Sequence, residues 1–411
     1  MGRARAEALA GLTLLLAGAP ATARASGFLL YEQSATALGK GSAMVASARD
    51  PSAAWFNPAA FGFVTWAGAA LNTAVLLPRT SFAPRLPGAS VESPAEPRLV
   101  PSLFAHVPLG DRVRMSLAML APFGLAVAWP EGWVGAQDSL STALTVIAFN
   151  PSVALRIDDR LSLAAGLNVL HGSVSLSLAL PMPPGGVATL SGEAWGVGAN
   201  VGVLFRVLPD QVHLGASYRS RARLPFHGNA YFAPQMTGYE TFFTNQRASA
   251  VIDLPDVIAF GAMARPHPQL ELSAEVDWVH WTTLSDLVVD FERPATFDRH
   301  IELASVNPLS GRLGIEWSWP ESGLAVRTGA SFDKSSSRAD RVSASAPDGD
   351  RVGIGAGLGL SFGRVALDVA YFYAYFLPTR AFGPRAHPEG TYRASAHVVA
   401  LTVAAHGNRS P

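Results

Sequence analysis

Little in this 411-residue sequence can do covalent chemistry. There is no cysteine, which removes a thiolate nucleophile, a disulfide scaffold and a Cys-ligated metal site. A hydrolase built on a Ser-His pair has one candidate, Ser395 and His397, which share a face of an alternating segment. Two positions along a strand is about 7 Å, and no acid stands beside them. The chain is therefore read as no enzyme, with no metal and no cofactor. Three cations have the chemistry of binding instead. Arg219 and Arg327 fall on the polar parity of alternating segments, and Arg393 lies near the start of the last one. A guanidinium so placed can hold a carboxylate. The competing reading makes each a structural charge paired with Glu271, Glu275 or Asp277.

The elements that must position these groups are strands. Val352, Ile354, Ala356, Leu358 and Leu360 alternate with Gly353, Gly355, Gly357, Gly359 and Ser361. Leu270, Leu272, Ala274, Val276 and Trp278 alternate in the same way with Glu271, Ser273, Glu275 and Asp277. Period two over about ten residues, apolar against polar or small, is the pattern of a membrane-spanning strand with one face in lipid and one in a lumen. Turn residues bound fourteen such segments, near 65–80, 98–108, 111–128, 141–157, 160–180, 187–208, 211–232, 248–265, 268–292, 309–319, 323–333, 350–363, 364–378 and 391–405. Short links such as Asp158-Asp159 and Pro209-Asp210 are expected at the periplasmic end and long loops at the other. Trp278, Trp281, Trp317, Trp319, Tyr371, Tyr373 and Tyr375 sit where an aromatic girdle would lie.

Composition agrees. Positions 1–25 carry Arg3 and Arg5, an apolar run from Leu9 to Ala17 and small residues ending Ala23-Arg24-Ala25. That is the order of a secretory signal peptide, with cleavage expected after Ala25 or, alternatively, after Ala23. Removing Arg3, Arg5, Arg24 and Glu7 from the 31 bases and 31 acids leaves a nearly neutral chain. Nothing in that balance invites nucleic acid. Charged residues are 15% where soluble domains have about 25%, yet no later stretch holds about 18 consecutive apolar residues. An exported apolar chain without spanning helices satisfies its peptide groups in lipid by closing a β-barrel.

The fold class expected is thus all-β: a transmembrane antiparallel barrel of about 14 strands in the outer membrane. The segment from Ser26 to Phe63 precedes the strands, lacks their period and is too apolar, with Phe28, Leu29, Leu30, Met44, Trp55 and Phe56, to remain solvated. A barrel of this girth cannot be filled by its own side chains. The domain organisation is therefore signal peptide 1–25, a lumen-plugging hatch 26–63, barrel 64–406 and a tail 407–411. Pro122 has no N–H to give a ladder and Gly124 marks a bulge or close approach, so Pro122-Phe123-Gly124 either interrupts a strand or ends it.

Several short motifs in order carry a resemblance. Ser26-Gly27-Phe28, Gly39-Lys40-Gly41, Asn57-Pro58-Ala59, Ala121-Pro122-Phe123-Gly124-Leu125, Asn150-Pro151-Ser152, Ser217-Tyr218-Arg219-Ser220 and Ser395-Ala396-His397 together resemble the FadL/TodX family of outer-membrane transporters for long-chain fatty acids and aromatic hydrocarbons. The resemblance implies passive diffusion through a hatch-gated barrel, with lateral release through a gap at a kink in the third strand. It places that kink at Pro122, Phe123 and Gly124 and sets Asn57, Pro58 and Ala59 of the hatch against it. An external groove would draw on Trp129, Trp133, Val134 and the stretch 178–184, and an inner pocket on Phe28 and Leu30, with Arg219, Arg327 or Arg393 for an acidic cargo. Energetics favour such a route: each methylene is worth roughly 0.8 kcal/mol, so a dozen or more would cost on the order of 10 kcal/mol to hydrate in an open channel.

The implied partners are a hydrophobic small molecule, outer-membrane lipid and lipopolysaccharide, with no nucleic acid and a monomeric barrel. Two departures stand out. Ala136 and Gln137 replace an expected basic and aromatic residue, and the chain ends His406-Gly407-Asn408-Arg409-Ser410-Pro411 rather than in an aromatic residue. A general small-solute porin is the rival reading.

Overall fold

The computed structural model describes residues 28–47, 50–180, 185–234, 242–284, 286–293, 299–302, 305–338, 340–382 and 388–407. The expected signal peptide and residues 408–411 lie outside them. Two short helices, α1 (Ala35–Gly39) and α2 (Ala53–Phe56), and a 3-10 helix (Pro58–Phe63) come first. The strands follow in order: β1 (Gly68–Pro84), β2 (Val91–Glu92), β3 (Arg98–Pro108), β4 (Val113–Ala128), β5 (Ser141–Arg156), β6 (Leu161–Ala179) and β7 (Val187–Leu208). Then come β8 (Val212–Arg219), β9 (Ala222–Ala233), β10 (Gln246–Leu254), β11 (Val257–His267), β12 (Leu270–Val279) and β13 (Asp286–Phe291). The last are β14 (Arg299–Glu302), β15 (Leu309–Trp319), β16 (Leu324–Asp333), β17 (Arg351–Phe362), β18 (Val365–Ala381) and β19 (Gly390–His406).

These segments build fourteen staves of one antiparallel barrel. β2 only edges β1, and β8–β9, β10–β11, β12–β13 and β14–β15 are each one stave interrupted partway. β1 closes on β19 from Gly68 opposite His406 to Pro84 opposite Gly390, so every stave has two neighbours. Three of the four interruptions fall where Ser220-Arg221, Pro255-Asp256 and His280 leave the ladder. Asp256 gathers them, accepting from Tyr218 Oη at 2.7 Å and Arg221 N at 3.0 Å, with His280 Nδ1 at 3.1 Å.

The alternation orients the wall as expected. Ile354 and Leu358 are 61% and 57% exposed on the outer surface, where lipid would lie. The glycines between them face inward, and the hatch lies against them. A Cβ on Gly355 would stand 2.3 Å from the Leu38 carbonyl oxygen, and one on Gly329 2.2 Å from the Lys40 carbonyl carbon. The bare strand face is thus the seat of α1, whose five residues are all buried and whose first turn is capped by Ser34 Oγ accepting from Ala37 N.

Polar groups fasten the hatch to the wall. Lys40 Nζ lies 2.6 Å from Glu271 Oε1, with Arg265 on the other oxygen of that carboxylate. Glu275 Oε2 accepts from the backbone N–H of both Met44 and Val45 at 2.7 Å. Arg312 bridges Asp277 and Asp333 at 2.8 Å each and lies 3.6 Å from the centroid of the Tyr31 ring. The acids read from β12 are therefore lumen charges, but their partners are Lys40, Arg265, Arg312 and hatch peptide groups, not Arg219, Arg327 or Arg393. Breaking a buried pair by removing one partner costs roughly 3–5 kcal/mol because the other charge stays behind.

A Gly329→Val substitution should lift the Lys40-Gly41 backbone off the wall, and the C-terminal end of α1 with it, at a cost of about 3 kcal/mol from overpacking against backbone. The variant should remain a heat-modifiable barrel on gels while its hatch becomes susceptible to limited proteolysis; an equally resistant hatch would refute the seating.

Candidate functional site

β4, the third stave, pairs with β3 only between Leu103–Met119 and Pro108–Arg114. Beyond Met119 its edge toward β3 has no ladder. On its other side pairing with β5 continues but slips by one residue between Leu120 and Phe123. Proline supplies no N–H there, and the extra residue inverts the parity: Ala118 and Leu120 face inward before the slip, Phe123 and Val127 after it. The sequence alternative in which Pro122 simply ends the strand is excluded, since β4 runs on to Ala128.

The orphaned edge is completed by the hatch. Leu30 N donates to Pro122 O at 2.8 Å, Gly124 N donates to Phe28 O at 3.0 Å, and Gln33 Nε2 donates to Ala121 O at 2.8 Å. A Cβ on Gly124 would meet Leu30 Cδ1 at 2.9 Å, so a side chain there would push the tip of Leu30 aside. Residues 28–30 thus act as a short strand against the interrupted stave.

That corrects the contact expected of Asn57, Pro58 and Ala59. Asn57 Nδ2 donates to Val45 O at 2.8 Å and Val203 O at 3.0 Å, while its Oδ1 caps the 3-10 helix by accepting from Ala59 N at 3.2 Å. Pro58 and Ala59 lie in that helix, which packs on β5, β6 and β7. An N-cap asparagine followed by proline is a local helix start, and both arms of its amide are spent inside the hatch and on β7.

Behind the interrupted edge is a cavity of about 630 Å³, within the range of small-molecule sites. Phe28, Leu30, Leu76, Val100, Phe123 and Trp281 form its apolar part. Phe28 meets Trp281 edge-on at 4.8 Å and Phe123 at 6.0 Å. Its polar part holds Glu32, Ser336, Ser337, Asp348 and Arg351. Asp348, in the loop before β17, has its carboxyl raised by burial despite hydrogen bonds from Ser335, Ser336 and Gly349.

Phe28 and Leu30 line this cavity, but the three arginines do not. Arg219 donates to Asn168 Oδ1 at 2.6 Å and to Trp55 O at 2.8 Å, with its guanidinium 3.2 Å from the Trp55 ring centroid. It anchors α2 of the hatch. Arg327 lies between Glu316 and Asp368, beside a separate 340 Å³ cavity that also reaches Lys40 and His406. Arg393 is exposed on the outward parity of β19, with buried Tyr392 beside it facing in. Parity assigned Arg219 and Arg327 to the lumen correctly but could not give their height in it.

Trp129 and Trp133 do not line an open groove either. Their rings stack at 4.4 Å in a buried cluster with Phe82 and Tyr392, and their N–H groups donate to Ala344 O and Ser139 O. Val134 is 66% exposed, Leu178 and Leu180 are buried beside Phe232, and 181–184 lie outside the described residues. Trp281 departs from the girdle: it turns inward in a 3-10 helix (Trp281–Leu284) that interrupts its stave and is fully buried. Its spacing of three from Trp278 breaks the period of two and was the available signal. Trp317, Trp319, Tyr371 and Tyr375 do lie on the outer wall.

A fourteen-stave barrel, greasy outside and occupied by its own amino-terminal segment, defines an outer-membrane transport protein rather than an enzyme. Ser395 and His397 fit that class: His397 Nδ1 is taken up by Tyr371 Oη at 2.7 Å on the barrel exterior. The chain belongs to the family described as outer membrane protein transport protein (OMPP1/FadL/TodX), which it matches over residues 16–409. It is 25% identical over 314 residues to the long-chain fatty acid transport protein of Escherichia coli O6:H1, spanning 67% of this chain and 69% of that protein. It is also 25% identical to a putative outer membrane protein of Neisseria meningitidis serogroup B, over 89% of this chain and 90% of that one. Among solved structures, a Pseudomonas aeruginosa FadL homologue superposes with a TM-score of 0.84 at 18% identity, covering 92% of this chain and 99% of that one. The Pseudomonas putida toluene transporter TodX does so with 0.73 at 16%, covering 94% and 99%.

Replacing Arg219 by Ala should loosen α2 by about 2–3 kcal/mol, the scale of a charged hydrogen bond with a cation–π contact. Hydrogen exchange at Ala53 to Asn57 should accelerate while barrel amides stay protected; unchanged exchange there would show that Arg219 does not hold the hatch.

Proposed function

We propose that this protein takes up hydrophobic compounds, fatty acids or aromatic hydrocarbons, by passive diffusion, and releases them sideways into the membrane at the interrupted stave. One observation carries the reading: the apolar cavity abuts the unpaired edge of β4, and residues 28–30 of the hatch stand between them.

The chemistry follows from the wall. A cargo in the cavity touches Phe28, Phe123 and Trp281, so its apolar surface stays out of water. Displacing Phe28 to Leu30 breaks two backbone hydrogen bonds to β4, and each group left unpaired away from water costs several kcal/mol, a barrier on the order of 10 kcal/mol that thermal motion crosses without an energy source. Pro122, Phe123 and Gly124 then border an opening at the level of the exposed Leu99 and Leu103, which face lipid. Asn57, Pro58 and Ala59 hold the rest of the hatch to β7, so that only its first residues need move. The barrel works as a single chain, with outer-membrane lipid and lipopolysaccharide around it and no cofactor.

Cells lacking their own transporter should take up radiolabelled oleate or toluene several-fold faster when they carry the intact protein. A Pro122→Ala, Phe123→Ala, Gly124→Val variant that still forms a heat-modifiable barrel should return uptake to background. Equal uptake by both proteins would remove the lateral route, and passage of small sugars alone would make the protein a porin.

A further inference from the structure

The charged groups at the polar end of the cavity bear on what it accepts. Arg351 is the inward-facing cation of that end, and Asp333 engages it through both Nε at 3.0 Å and Nη2 at 2.8 Å. The second arginine on Asp333, Arg312, is itself matched by Asp277, so these two guanidiniums and two carboxylates balance. Lys334 is turned to Asp350, 3.7 Å away. Arg98, at the opposite edge of the cavity, is half exposed and held by Glu96 at 2.6 Å.

Two acids remain over. Glu32, on the hatch just after the segment that covers β4, is 5% exposed and has no ion pair among the described residues. Its carboxylate caps the N–H of Tyr31 at 2.9 Å, and it lies within the electrostatic reach of Arg351. Among the described residues Asp348 is held only by neutral donors: Ser335 Oγ at 2.8 Å, Ser336 N at 3.0 Å, Ser336 Oγ at 3.2 Å and Gly349 N at 2.9 Å. Both line the cavity alongside Arg351.

We propose that Glu32 and Asp348 make this cavity selective for neutral hydrophobic compounds over carboxylates. The inference rests on the uptake reading above and narrows its cargo. A carboxylate entering the polar end would shed water beside two surplus like charges and find the Arg351 guanidinium already chelated. A hydrocarbon presents no charge to desolvate, and an alcohol can donate its hydroxyl proton to Glu32 or Asp348.

Bromine quenches tryptophan on contact, and Trp281 lines the cavity, so 12-bromododecan-1-ol and 12-bromododecanoate can be titrated at pH 8 into the full protein held in amphipol. The difference between the intact protein and Trp281→Phe isolates the site. The alcohol should bind at least about tenfold more tightly than the carboxylate, the scale of one unfavourable buried charge contact. In Glu32→Gln and in Asp348→Asn the carboxylate should gain several-fold while the alcohol changes little, each variant being confirmed as a heat-modifiable barrel. Equal or tighter binding of the carboxylate by the intact protein overturns the selectivity but leaves the cavity reading standing. A carboxylate affinity that neither variant moves overturns the assignment to these two acids. If neither ligand quenches Trp281, the cavity is not the binding site and both readings fall.

Discussion

An unpaired peptide group in hydrocarbon costs several kcal/mol, so a break in a membrane-spanning ladder has to be answered from within the protein. In this barrel the break is the bare edge of β4 above Met119, and the answer is three residues of the hatch. Pro122 O and Gly124 N are satisfied by Leu30 N and Phe28 O, which makes the seal of the wall and residues 28–30 of the plug the same object. The cavity, the gap and the hatch are therefore not three separable features. Whatever moves residues 28–30 changes all of them.

The rest of the hatch is held far more firmly than its beginning. Lys40 with Glu271, the Glu275 carboxylate on two backbone N–H groups, Arg219 on Trp55 and Asn57 on β7 fix residues 40–47 and 50–63 with charged or buried polar contacts. Residues 28–30 have two neutral backbone hydrogen bonds to β4, one from Gln33 Nε2 to Leu30 O, and ring contacts with Phe123 and Trp281. This gradient of attachment lets one end of a plug give way without ejecting the whole, because that end has few neutral hydrogen bonds to give up, whereas freeing the rest would leave buried charges unpaired at roughly 3–5 kcal/mol each. Glycines on the inner wall make the firm part possible, since α1 touches strand backbone directly.

The sequence by itself determined the barrel, its fourteen staves and the inward face of those that alternate cleanly, and it marked Pro122 to Gly124 as the place where a ladder would break or stop. These are local properties: a period of two sets parity, turn residues set ends, and a missing N–H spoils a ladder wherever it stands. Even Glu271, Glu275 and Asp277 were legible as lumen charges on this ground. Only the tertiary structure decided which part of the hatch meets the interruption, residues 28–30 and not 57–59. It alone decided that Arg351 faces the cavity while Arg219, Arg327 and Arg393 do not, and that Trp281 turns inward. Each of these depends on height along the barrel and on partners brought together from distant strands. Alternation says which face a side chain takes, but not at what level or opposite whom. Those are fixed by strand register and by where a plug without regular period comes to rest.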